Sequence, residues 1–178
     1  HKKGGLAYAN VLISMVFAGI SGSSQADTSG VGKIFIPAME KQGYDKGTSV
    51  GVTAASSTLG SIIPPSITMV VYSGIANCST GALFMSGIVP GILLGVAQMI
   101  VVKMYANSKN FPQSEKVPFA TAMKHTLISM PALMTPIILI GGIVSGLFTP
   151  TESAAFACIY ALLVGIFFYH SIKISRLP

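Results

Sequence analysis

The chain has 178 residues, 51% of them apolar and only 9% charged, with a net charge of +6 and a mean hydropathy of +0.70. A soluble domain carries roughly 25% charged residues, so this chain has too little polar surface to cover itself in water. The basic residues flank apolar segments instead of forming a patch, which is a topology signal and excludes nucleic acid as the partner.

Apolar stretches near the roughly 17–25 residues that cross a hydrocarbon core recur along the sequence, so an all-α membrane protein surrounded by lipid is expected. The 19 glycines and 10 prolines, many for helices in water, are ordinary for helices in lipid.

Residues 1–47 predict a re-entrant hairpin. The apolar runs 6–20 and 31–39 are each short of a span, and the polar stretch 21–30 between them, SGSSQADTSG, cannot face lipid. The simplest path enters from the cytoplasm, turns at mid-membrane and returns. Irregular backbone at that depth persists only where it is buried in protein or lines water. Ser24 followed by Asp27 fits a capping box, so the second arm is expected to begin with Ser24 as its cap. The N-terminus of that arm suits an anion, and the carbonyls ending the first arm, near residues 18–20, suit a cation. Asp27 is either a functional carboxylate, the default for an ionised group inside a membrane, or only a cap beside a watery vestibule. Lys33 is expected to snorkel back to the cytoplasm.

Residues 48–80 predict a discontinuous transmembrane helix. Gly60 and the pair Pro64-Pro65 oppose a continuous helix, because proline lacks the amide hydrogen and its ring crowds the preceding turn. Carbonyls freed around residues 59–63 then need partners. Na⁺ is one candidate, with the hydroxyls of Ser56, Ser57 and Thr58 as further oxygen ligands. The other reading is a Pro-kinked helix whose serines only pack. Beside a polar hairpin tip the break is more telling, since discontinuous helices meeting near the midplane mark secondary-transporter sites.

A transmembrane helix over 81–104 follows, then a basic, polar linker over 105–124 that the positive-inside rule places in the cytoplasm. That choice puts every basic residue except Lys33 on one side. Residues 125–178 predict two further transmembrane helices, over 127–148 and 154–169. Between them Thr149, Pro150 and Glu152 form a capping box with proline at the first helical position, at the outer surface. Cys78 and Cys158 have no metal-ligand spacing and read as small packing residues. His1, His125 and His170 read as interfacial. No signal peptide is seen, and the chain reads as an internal piece of a longer polypeptide.

Residues 19–27 (GISGSSQAD), 36–39 (IPAM), 53–60 (TAASSTLG) and 62–66 (IIPPS) resemble the large membrane subunit of tripartite ATP-independent periplasmic (TRAP) transporters. So do 87–91 (GIVPG) and 141–154 (GGIVSGLFTPTESA). The wording is most similar to the sialic acid branch. The resemblance implies one repeat of an inverted-repeat elevator transporter, with the start of the second. It further implies Na⁺-coupled uptake of an organic acid, sialic acid or next a C4-dicarboxylate, across the bacterial inner membrane. The partners it implies are a periplasmic substrate-binding protein and a small membrane (Q) subunit, fused in some members. Carried over residue by residue, a Na⁺ site is expected from Ser21, Ser23 and Asp27 with Gly60, Ile63 and Pro65. Substrate is expected on Ser24, Ser57 and Thr58. A complete subunit has a second hairpin and a second broken helix, so this chain is expected to hold about half of a site.

Two rivals come from other classes. An intramembrane hydrolase would need a His or Lys placed to activate a tip serine, and the tip is not the Gly-x-Ser-x-Gly elbow, so no enzyme is expected. An ion channel with a re-entrant filter would conduct without Na⁺-coupled, saturable uptake.

Overall fold

The computed structural model describes residues 3–108, 111 and 119–170. Every element among them is helical, and the chain divides into two compact units, 1–116 and 117–178.

The first unit begins with α1 (Gly5–Ser21) and α2 (Ser24–Lys41), joined by Gly22 and Ser23 alone. Gly22 makes the turn possible: its φ is +61°, a left-handed conformation that glycine adopts without a Cβ penalty, and its N–H closes α1 on the Ala18 carbonyl. The gap predicted over residues 21–30 thus shrinks to two residues. The polar residues that suggested a longer loop lie in the first turns of α2, where Thr28 Oγ1 donates to the Ser24 carbonyl and Ser29 Oγ to that of Ala26. The two arms are antiparallel, with Asn10 of α1 reaching Met39 of α2 and Gly30 of α2 lying against Phe17 of α1.

Helix α3 (Lys46–Ser57) starts on an Asp45 cap that accepts from Thr48 N at 3.0 Å. It runs parallel to α1, because Asn10 bonds Thr53 and Ser14 bonds Ser56. Its end tightens into a 3-10 turn, Thr58–Ser61, and the chain is then irregular through Pro64 and Pro65 to Ser66. Ser66 caps α4 (Ile67–Ala76). The predicted interruption is therefore a true break, one helix ending and a second beginning, and not a kink. Helix α5 (Thr80–Ser108) runs back along the break. Near its end Val102, Ala106 and Phe111 join Ala7, Val11, Met39 and Tyr44 in the buried apolar core, where the Tyr44 and Phe111 rings sit 4.9 Å apart.

The second unit pairs α6 (Phe119–Val144) with α7 (Pro150–Leu163), which continues as a π-helical turn, Val164–Phe168. Pro131 and Pro136 lie within α6, and Tyr160 of α7 donates its hydroxyl to the Pro131 carbonyl at 3.0 Å. The capping box read from sequence is present: Thr149 Oγ1 accepts from Glu152 N at 3.3 Å, and Glu152 Oε2 accepts from Thr149 N at 2.8 Å. Gly142 allows close approach, since a Cβ there would lie 2.5 Å from Ser153 Oγ.

Among the described residues, three helical stretches are long and apolar enough to cross a membrane: Thr80–Asn107, Thr126–Val144 and Pro150–Phe168. Helices α1 and α4 are apolar but shorter. Side chains such as Ile75, Val89, Leu93 and Leu147 are largely exposed, which is at home in lipid and costly in water. Cys78 and Cys158 are both exposed, so the expectation that they pack between helices is corrected. Residues 109–110 and 112–118 of the expected 105–124 linker lie outside the described residues, as do His1, Lys2, Lys173 and Arg176.

Candidate functional site

The hairpin tip is seated on the helix break. Gly22 O accepts from Ile67 N at 3.1 Å, and a Cβ on Gly22 would fall 2.6 Å from the Pro65 carbonyl oxygen. Opposite, a Cβ on Gly60 would lie 2.9–3.0 Å from the Ser23–Ser24 peptide. Each glycine admits the other segment's backbone, so two irregular stretches far apart in sequence interlock. Ser24 Oγ and Ser61 Oγ add a hydroxyl pair at 2.6 Å. Such close backbone approach leaves carbonyl oxygens and hydroxyls as the chemistry on offer, a donor set for a hard cation or for the hydroxyls of a solute.

The cap of α2 is Ser23, which accepts from Ala26 N, and not Ser24 as expected. The correction moves Asp27 to the fourth helical position, out of the capping box and into the interior. There it is fully buried beside Ser14, and neither carboxylate oxygen has a hydrogen-bond partner among the described residues. A buried carboxylate with four idle lone-pair sites is expensive unless something binds it. Its role as a mere cap is thereby removed.

The other expected residues divide. Ser21 stays local, its Oγ bridging to the Ser23 backbone. Ser23, Gly60 and Pro65 meet at the tip. Ile63 is adjacent in the chain, but its side chain packs on Gly91 of α5. Part of the break is already satisfied internally: Leu59 O accepts from Ile62 N and Ile63 N, and Ser61 O from Ser66 Oγ. Ser57 is buried, donating to Thr53 O at 2.7 Å. Thr58 is exposed and donates to Ala55 O at 2.7 Å. Ser24 bonds Ser61 and not these two, so the three expected substrate residues are not joined to one another.

Sequence reasoning missed a polar seam between α1 and α3. Asn10, Ser14, Ser49, Thr53 and Ser56 are all buried there. Asn10 Nδ2 donates to Thr53 Oγ1 at 2.8 Å, Ser14 and Ser56 share a hydrogen bond at 2.9 Å, and Thr53 Oγ1 donates to Ser49 O at 2.8 Å. The signal was available: Asn10 and Ser14 lie four apart, on one face of an otherwise apolar helix. Also missed were Gly87, Gly91 and Gly95 of α5, spaced at four like other small-residue helix contacts. Among the described residues, no group of three or more His, Cys, Asp and Glu could hold a metal. The oxygens at the tip and Asp27 are thus the chemistry this unit offers.

Comparison with known proteins places the sequence in a family. The family model described as "Tripartite ATP-independent periplasmic transporter, DctM component" matches residues 1–178. The C4-dicarboxylate TRAP transporter large permease protein DctM of Pseudomonas aeruginosa is 42% identical over 100% of this chain and 42% of its own length. The sialic acid TRAP transporter permease protein SiaT of Haemophilus influenzae is 40% identical over 99% of this chain and 29% of its own. A second C4-dicarboxylate permease, from Vibrio cholerae, is 43% identical over 94% of this chain and 37% of its own. The chain therefore spans less than half the length of these relatives. With the whole sequence matched, and the hairpin and helix break where the motifs lie, the chain belongs to the DctM-component family of tripartite ATP-independent periplasmic transporters.

Proposed function

We propose that this chain carries the first half of the transport site of a Na⁺-coupled permease for organic acids in the bacterial inner membrane. In this reading α1 and α2 form a re-entrant hairpin, α3 and α4 a broken membrane helix, and both ride in the moving part of an elevator. Solute is handed over by a periplasmic binding protein, with a small membrane subunit as partner. The observation that carries the proposal is the interlock of Gly22–Ser23 with Gly60–Ser66. It brings two irregular backbones together inside an apolar protein, where such backbone must be buried in protein or line a water-filled cavity, the setting in which discontinuous helices form secondary-transporter binding sites.

The donor set fits Na⁺. Ser23 Oγ and the backbone oxygens near Gly60, Ile63 and Pro65 are hard ligands, and the buried, unpartnered Asp27 oxygens supply a compensating negative charge. Bound Na⁺ would neutralise that charge and draw the tip and the break together. This chain's own part is to hold Asp27 dry and to keep the two backbones in register.

The cargo is an organic acid. The names of the relatives span C4-dicarboxylate, sialic acid, 2,3-diketo-L-gulonate and isethionate at similar identity, so sequence likeness alone does not rank them. The test is uptake by the full-length permease in liposomes, with its binding protein and small subunit, comparing sialic acid with succinate under an imposed Na⁺ gradient. Saturable accumulation that collapses when K⁺ replaces Na⁺ supports the proposal. Conductance without coupled solute movement would assign a channel instead.

A further inference from the structure

Helix α5 presents one face to the broken segment and to α1. A Cβ on Gly87 would lie 2.7 Å from the Ile62 carbonyl oxygen, one on Gly91 2.6 Å from Ile63 Cγ1, and one on Gly95 2.6 Å from Met15 Sδ. Three positions beyond Gly95, and still on that side of the helix, lies Gln98. Its Nε2 donates to the Ala55 carbonyl of α3 at 2.9 Å. Gly87 and Gly91 bring α5 against the break, and Gly95 brings it against α1, by shape alone. Gln98 adds a directed bond.

The other end of that amide explains why the bond matters. Gln98 Oε1 is buried and has no partner among the described residues. An apolar side chain of similar length would fill the same space without leaving an acceptor unpaired, and would be favoured if packing were the whole role. The glutamine therefore serves through its donor end. Its target is placed accordingly. Ala55 O closes the last α-helical turn before the 3-10 segment, and Thr58 Oγ1 also donates to it. Fixing Ala55 fixes where α3 stops and hence where Gly60 meets the Ser23–Ser24 peptide.

The structure assigns Gln98 as a positioning residue: by tying the end of α3 to α5, it holds the break in the conformation that receives the hairpin tip and the coupling ion. This inference rests on the Na⁺ reading above. Gln98 touches neither ion nor solute. It acts through Ala55, so its loss should weaken Na⁺ binding more than it weakens the fold.

The test uses the purified full-length permease with its small subunit in lipid nanodiscs, and NaCl as the probe. Thermal unfolding is followed while NaCl replaces KCl at constant ionic strength, giving a half-saturating Na⁺ concentration for stabilisation. Gln98→Met keeps length and removes the donor; Gln98→Asn keeps the amide but is too short to reach. Both should raise the half-saturating concentration about three- to tenfold, the scale of one intramolecular hydrogen bond, with the midpoint in KCl little changed. Amide exchange over residues 58–66 should also quicken in KCl, which reads the tether without Na⁺. If Gln98→Met does not fold, Gln98→Asn carries the measurement. Unchanged Na⁺ dependence and unchanged exchange in a folded variant would overturn the assignment alone. A parent protein with no Na⁺-specific stabilisation would remove the Na⁺ reading and this role with it.

Discussion

Replacing Gly60 by alanine puts a methyl group where the hairpin tip sits. The added Cβ would lie 2.9 Å from Ser23 C and 3.0 Å from both Ser23 O and Ser24 N, whereas ordinary contact begins near 3.4 Å. All three obstacles are backbone, so no rotamer change relieves them, and tip and break must part by at least about 0.5 Å. Overpacking of this kind costs about 1–3 kcal/mol, or about a 5- to 150-fold loss in the folded-to-unfolded ratio. Gly95→Ala is the matched control. Its Cβ would come 2.6 Å from Met15 Sδ and 2.7 Å from Met15 Cε, the end of a flexible side chain that can turn aside. Alanine inside a helix regains about 1 kcal/mol over glycine, so that variant should be close to neutral. Unfolding midpoints of the full-length permease, with solute uptake measured in parallel, should place Gly60→Ala well below Gly95→Ala in both. Equal stability and equal uptake for the two would refute the seating of the tip on Gly60.

Asp27→Asn removes the buried charge and should shift the Na⁺ activation curve of uptake to higher concentration while leaving the protein folded, since the amide has the shape of the carboxylate; an unshifted curve would take Asp27 out of ion binding. Thr149→Ala removes the hydroxyl half of the capping box at the start of α7 while the backbone N–H of residue 149 still donates to Glu152, and it should cost about 1 kcal/mol, read as a lower unfolding midpoint, with Thr149→Ser restoring most of it.

Element type and order were legible because each depends on local chemistry. The Thr149–Glu152 box shows the pattern most plainly: two residues three positions apart contain all of its donors and acceptors. The helix break was equally local, since the Pro64-Pro65 pair cannot continue a helix whatever surrounds it. The hairpin tip was less so. Ser23 and Ser24 are adjacent hydroxyls with equal capping ability, and which one caps is set by the Gly22 turn and by Ser24's bond to Ser61, thirty-seven positions away. The α1–α3 seam was invisible for a related reason. A serine or asparagine in an apolar helix declares that it needs a partner, but not where that partner is. The expected substrate set of Ser24, Ser57 and Thr58 failed as a cluster because helical hydroxyls can satisfy themselves on the carbonyl three or four residues back, as Ser57 and Thr58 do.

The Asn10–Thr53 and Ser14–Ser56 bonds have a mechanical consequence. Apolar helix faces can slide with little change in energy, because dispersion contacts are interchangeable. Hydrogen bonds between short side chains are not. Slipping α3 along α1 by one turn, about 5.4 Å, would break both bonds together and strand their donors in a dry interface. The pair acts as a keyed joint with a single allowed register. Any displacement that moves the hairpin tip must therefore carry α3 with it, so the two halves of the interlock travel as one piece.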